Sequence, residues 1–141
     1  MAAAKRKLDK KTIATEIADF RKTYEKTFGA MPPSPGNRFA FSGEVNPEYL
    51  VHMERLRGHA MYSDVFDNKT AQMILFAVML GEHNFDGAAA HAGAARHYGA
   101  TWEELHKVVE LAATSVMVWR SNRGTGALKA LRDKEKPGKG R

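Results

Sequence analysis

At 141 residues, with 43% hydrophobic and 27% charged side chains, the chain has the size and composition of one globular domain with a single substantial core. It contains no cysteine, which excludes disulfides, thiolate metal sites, iron–sulfur clusters and cysteine nucleophiles. The formal charge of +6 is concentrated in two basic tails, 1–11 and 132–141, around a domain at 12–131; no nucleic-acid partner is expected, because such partners are met by a basic face on folded structure.

The chain opens Met1-Ala-Ala-Ala-Lys5-Arg6-Lys7, without the apolar stretch a secretory signal requires. Solvated tails are the plain reading of the terminal charge, and a polyanion-binding accessory role is the alternative. The first predicted helix runs from Ile13 to Phe28, with Ile13, Ile17, Phe20 and Tyr24 at helical spacing, and Gly29 stops it. Residues 30–45 contain Pro32, Pro33, Pro35, Gly36 and Gly43, which predicts a loop or an extended cover segment, with Phe39 and Phe41 ordered against the body.

Asn46-Pro47 opens the next helix, an Asn cap followed by a proline suited to the first turn, and Leu50, Met53, Leu56 and Arg57 carry it toward Gly58. Asp67 caps a third helix over 68–81. Its centre, Met73 to Leu80, is apolar all round and predicts a central, covered helix. That run is far short of the roughly 20 residues needed to span a bilayer, so no membrane is expected and a cytoplasmic location is. Residues 84–98 are alanine-rich and end at Gly99, and Thr101-Trp-Glu-Glu104 reads as a capping box. Leu105, Val108, Val109, Ala112, Val116 and Trp119 then mark one face, so a tight hairpin of 84–98 with the following helix is expected. A last helix is predicted over 125–132. The expected architecture is all-α: a compact bundle of about six helices around a central helical hairpin.

The stretch from Phe66-Asp-Asn-Lys-Thr through the apolar helix to Gly81-Glu-His-Asn-Phe-Asp-Gly-Ala-Ala-Ala-His91 resembles the core of the carboxymuconolactone decarboxylase-like superfamily. The likeness continues through Ala94-Ala-Arg-His-Tyr-Gly-Ala-Thr-Trp-Glu-Glu-Leu105, and more loosely through Phe28-Gly29 and Asn46-Pro47, covering residues 28 to about 131. In the alkylhydroperoxidase D-like branch, two cysteines work with a glutamate and histidines to reduce peroxides. The resemblance puts those cysteines at Asn84 and Gly87 and the glutamate at Gln72, while His91 is kept. Without a thiolate nucleophile, thiol-dependent peroxide reduction is excluded. The decarboxylase branch also lacks the cysteine pair and keeps the histidine, so the resemblance implies a lyase of aromatic-compound catabolism. Its usual charged residues between 84 and 87 are reduced here to Asp86.

Decarboxylation without metal or cofactor needs stabilisation of developing charge and an acid to reprotonate carbon, a role suited to histidine. Asn84, Gly87 and His91 share one helical face, and free amides at a helix start attract anions. The expected site therefore has His91 and His83 as acid/base groups. Gln72, Asn84, Asp86 and Gly87 line it, and Arg120 and Arg123 are available to clamp a substrate carboxylate. The bland readings are that Gln72 bridges helices, that His83 is an exposed turn residue, and that the two arginines pair with acids at a subunit boundary. A metal held by Glu82, His83, Asp86 and His91 is an alternative, as is one at His52 and His59, but neither has a strong zinc pattern; the expectation is no metal and no cofactor.

Leu111, Met117 and Val118 lie off the main stripe of their helix, which predicts subunit contact, and the resemblance implies a homo-oligomer, a trimer or hexamer. The activity expected is that of a metal-independent lyase acting on a small cyclic or aromatic-derived carboxylic acid. The alternative is a non-catalytic ligand-binding or assembly protein on the same scaffold.

Overall fold

The computed structural model describes residues 7–135 apart from Ser63. Six helices follow one another, with no strand among the described residues: α1 (Lys10–Phe28), α2 (Pro33–Val45), α3 (Pro47–Met61), α4 (Asn68–Gly81), α5 (Phe85–His97) and α6 (Trp102–Glu135). No helix is long and apolar enough to cross a membrane. Lys10 and Lys11 belong to α1, and residues 132–135 belong to α6; residues 1–6 and 136–141 of the two basic tails lie outside the described residues.

The caps read from sequence form their helix starts: Asn46 accepts from the Tyr49 amide and Asp67 from Thr70, and Thr101 and Glu104 close a reciprocal capping box at 3.0 and 2.7 Å. The structure adds Asp9, which accepts from the Thr12 amide and starts α1 three residues before Ile13. Each such cap satisfies an amide with no partner inside its helix and contributes about 1 kcal/mol.

Three expectations change. Residues 33–45 are a helix rather than a loop or extended cover, because the prolines fall at and just after the start, where helical amides have no acceptor to lose. The separate helix expected over 125–132 is the end of α6, which continues unbroken through Gly124 and Gly126 for 34 residues. The closest antiparallel pair is α4–α5, one helix earlier than the hairpin expected, and α6 lies along α4.

The α4–α5 reversal uses His83, the one non-glycine residue with a positive φ (57°) among those described. Its amide bonds Leu80 and the Asn84 amide bonds Met79 five residues back, the pattern that ends a helix through a left-handed residue. A side chain at such a position costs about 1 kcal/mol relative to glycine. His83→Gly is therefore expected to raise stability by about 0.5–1 kcal/mol, seen as a higher urea midpoint. A lower midpoint would mean that the edge contact of His83 with Phe85 outweighs the backbone strain.

Two apolar clusters form the interior. Phe76, Ala88, Ala95, Ala100 and Leu105 join α4, α5 and α6, with Met73, Met79 and Val108 against them. Tyr24, Phe39 and Leu50 join α1, α2 and α3, with Ile17, Phe20, Phe28 and Met53 against them. The small Ala94 and Ala95 side chains, almost wholly buried, let the α5 backbone approach its neighbours closely. Helix α1 packs on both α3 and α5, so the two clusters meet along it.

Candidate functional site

A cavity of about 470 Å³ lies at that meeting line. Its apolar wall is Phe28 at the end of α1, the Pro32–Pro35 entrance to α2, Met79 of α4 and Ala89 and Ala90 of α5. Its polar groups are Arg38 from α2, Arg57 from α3, and Asn84, Asp86 and His91 at and along α5. A concave, mostly apolar chamber of this size with a few convergent polar groups is the usual form of a small-molecule site.

His91 is 8% exposed, and its Nδ1 lies 2.7 Å from Oε1 of Gln72, itself 1% exposed on α4. A carbonyl oxygen only accepts, so the shared proton sits on Nδ1, and Nε2 keeps its lone pair for a ligand. Phe28 meets the imidazole edge-on at 5.5 Å. Burial, reinforced by the positive charge of Arg57, lowers the His91 pKa from 6.5 to about 4. At neutral pH the site therefore holds an uncharged imidazole, oriented by an uncharged partner.

Behind the cavity lies a buried charge cluster. Glu54 on α3 is 1% exposed; its Oε1 accepts from Arg38 Nη2 at 2.5 Å, and its Oε2 lies 3.7 Å from Arg57 Nη1. The Tyr24 hydroxyl accepts from Arg38 Nη2 at 2.7 Å and lies 3.3 Å from both Glu54 oxygens, to which it donates. The Arg57 guanidinium stacks over the Tyr24 ring at 4.2 Å and donates to the Tyr62 hydroxyl at 3.1 Å. Burial, with the Glu54 charge adding to it, pushes the Tyr24 pKa up to about 12, so the phenol stays protonated.

The structure gathers Asn84, Asp86, Gly87 and His91 around one cavity, with Gln72 behind His91. Two details differ from the expected geometry. The Asn84 side chain accepts from the Gly87 amide at 2.9 Å, so the α5 start is capped by its own side chain rather than left open to an anion. A Cβ on Gly87 would lie 2.9 Å from both Asn84 Nδ2 and Met79 Sδ, so the space beside this glycine is filled by those side chains. His83 and Arg120 line a different groove, with Leu80, Phe85 and Val116, and Arg123 sits farther along α6 beside Trp119. Among the described residues, no three of His, Asp and Glu converge as a metal-holding group; this covers Glu82, His83, Asp86 and His91, and also His52 and His59.

Arg38, Arg57, Glu54 and Tyr24 are the site groups that sequence reasoning missed. One signal was present: Glu54 falls four residues after Leu50 and three after Val51, on the stripe that is buried, whereas Leu56, assigned to that stripe, is 68% exposed. A carboxylate on a core stripe calls for a cationic partner.

Neither the curated proteins nor the solved structures include a match to this chain. The family model described as the carboxymuconolactone decarboxylase family matches residues 47–130, which include Arg57, Gln72 and His91 and leave Tyr24, Phe28 and Arg38 outside the match. The cysteine-free chain, all-helical and matched over more than half its length, belongs to the carboxymuconolactone decarboxylase family.

Proposed function

We infer that the protein is a metal-independent lyase of the decarboxylase type, acting on a small cyclic or aromatic-derived carboxylic acid with His91 as its proton-transferring group. Family membership supports a decarboxylase-type role in general terms. The observation that carries the finer reading is the oriented neutral imidazole of His91 on the wall of a concave, largely apolar cavity. In the reaction the bond from the carboxylate carbon to the ring breaks, and carbon dioxide leaves uncharged. The electron pair passes into a conjugated carbonyl of the substrate, and a proton is delivered to carbon. A bound carboxylate offsets the Arg57 charge that disfavours the imidazolium, so substrate binding helps His91 take up from solvent the proton it then donates. His83, on the other groove, has no part in this scheme.

The test is carbon dioxide release from 4-carboxymuconolactone by the native protein. Turnover supports the reading. No release from this or from other cyclic unsaturated acids would leave a binding-only role on the same scaffold.

The assembly belongs to the same proposal. Helix α6 is about 51 Å long at 1.5 Å per residue, and Met117, Trp119, Leu128 and Leu131, from its middle to its far end, are each more than half exposed. A helical segment carrying that much apolar surface is not stable alone in water. On α4, Ile74 and Val78 are also exposed, so the helix expected to be covered is open on one side of the single chain. These faces support a homo-oligomer, trimer or hexamer, in which a second copy covers them. Trp119→Glu combined with Leu128→Glu is expected to shift the sedimentation mass to that of one chain. A native protein that sediments as a monomer would reject the assembly.

A further inference from the structure

We propose that Arg38 and Arg57 together form a carboxylate clamp in the His91 cavity, held in place by Glu54 and Tyr24, so that the ligand is a compact, apolar-bodied acid bound through its carboxylate. The inference rests on the lyase reading for what happens to that carboxylate afterwards, but its evidence is the donor and charge balance of the cavity.

Two guanidiniums from different helices, α2 and α3, line the cavity that holds His91. Between them they have one buried carboxylate, Glu54, and it is used unevenly: a short hydrogen bond to Arg38 Nη2, and a 3.7 Å ion pair with Arg57 Nη1 that is too long to be a hydrogen bond. Among the described residues, Arg38 Nε is buried without a hydrogen-bond partner, and the bonds of Arg38 leave only from Nη2. Among the described residues, the one hydrogen bond of the Arg57 side chain runs from Nη2 to Tyr62. Arg38 Nε has no surface open to a ligand, but Arg38 Nη1 and Arg57 Nε and Nη1 also make no hydrogen bond among the described residues, so donors are left over on both side chains, and one positive charge is uncompensated within the cluster.

Asp86, also at the cavity, is exposed, so its charge is screened by solvent and does not neutralise the pair. The α5 amides offer little competition, since Asn84 already accepts from Gly87. A ligand carboxylate is planar and accepts at two oxygens, which matches guanidinium donors and supplies the missing negative charge. The remainder of the wall, Phe28, Pro32, Pro33, Met79 and Ala90, suits a ring or short unsaturated body. This assigns to Arg38 and Arg57 the role expected from sequence for Arg120 and Arg123, which lie on α6 outside this cavity.

The probes are benzoate and its neutral near-isostere benzamide, titrated into the full-length protein by calorimetry at neutral pH. Benzoate is expected to bind at least about tenfold more tightly than benzamide, the difference that charge-assisted hydrogen bonds make. Arg57→Gln should remove that preference, and Arg57→Lys should restore part of it. Arg38→Gln risks the fold by leaving Glu54 unpaired, so the native benzoate-to-benzamide contrast and the Arg57 variants carry the test. Equal affinity for the two probes, no saturable benzoate binding, or a preference lost in Arg120→Gln but kept in Arg57→Gln would each overturn the clamp. Binding that follows the arginines without carbon dioxide release from any acid would uphold the clamp and sink the lyase reading. Release that survives Arg57→Gln with unchanged KM would sink the clamp alone.

Discussion

Replacing His91 by glutamine is expected to lower decarboxylation by about 10²–10⁴-fold, the usual contribution of a positioned acid or base, while leaving the fold and assembly intact. Glutamine is the informative substitution because Gln72 Oε1, buried on α4, needs a donor, and a side-chain amide at position 91 offers one. Alanine would strand that oxygen at a cost of about 1–3 kcal/mol and confuse loss of chemistry with loss of structure. A variant that folds and assembles normally yet keeps full activity would remove His91 from the mechanism.

The same variant isolates the pH dependence of the fold. The folded pKa of His91, about 4, lies below its ordinary value of 6.5, so between those values the unfolded chain binds more protons than the folded one. Stability is therefore fully present above pH 6.5 and is lost as the pH falls toward 4, by up to about 3 kcal/mol for a shift of this size. His91→Gln should flatten the slope between pH 6.5 and about 4.5. Below that window the carboxylates held low by hydrogen bonds, such as Asp67 by Thr70 and Glu104 by Lys69, add their own losses. Urea denaturation of both proteins across the range measures the difference.

Much of the helical order was legible because its signals are local. Asp67, Asn46 and the Thr101–Glu104 pair each satisfy amides within three residues, and the stripe from Leu105 to Val116 repeats with the helical period. The stretch at 33–45 was misread because proline was weighed as a breaker without regard to its position in the first turn. At α6 the error ran the same way: a separate helix was expected over 125–132, but Gly124 and Gly126 cost only about 2 kcal/mol in a helix, and no proline separates the segments. Choosing which helix pairs with which needs tertiary information: left-handed residues, His83 and Gly99, turn the chain on both sides of alanine-rich α5, and only the packing shows that it pairs with α4.

For the site, the family resemblance led to His91, Gln72, Asn84 and Gly87, which are close in sequence and share two adjacent helices. Arg38 and Arg57 are 19 residues apart in number, the same separation as Gln72 and His91, and lie on the adjacent helices α2 and α3, but Arg38 falls in a segment read from sequence as a loop. Arg120 and Arg123 drew attention because they follow the recognised pattern along the chain, yet α6 carries them past the cavity. Sequence reasoning followed the recognised pattern along α4, α5 and α6, and the groups it missed stand on α1, α2 and α3, outside the core of that pattern.

Glu54 is expected to be the most destabilising single position to truncate, with Glu54→Ala costing about 3 kcal/mol. Removing one member of a buried charge cluster leaves its partners uncompensated, a loss of about 3–5 kcal/mol where all are fully buried. The lower end applies here because the Arg38 and Arg57 side chains keep 29% and 16% exposure and reach the cavity. Tyr24, 1% exposed, would lose the acceptor for its hydroxyl. Glu54→Gln retains an acceptor oxygen for Arg38 and Tyr24 while removing the charge, so it should cost about half as much. The urea midpoint should fall with the slope m unchanged, because the same surface is exposed on unfolding. Against a total stability of about 5–15 kcal/mol for a domain of this kind, such a loss is large but survivable. The two substitutions separate packing from electrostatics. Equal losses would mean that the charge matters more than the hydrogen bonds, whereas a neutral Glu54→Ala would mean that solvent in the cavity already compensates the arginines and that Glu54 does not fix their positions.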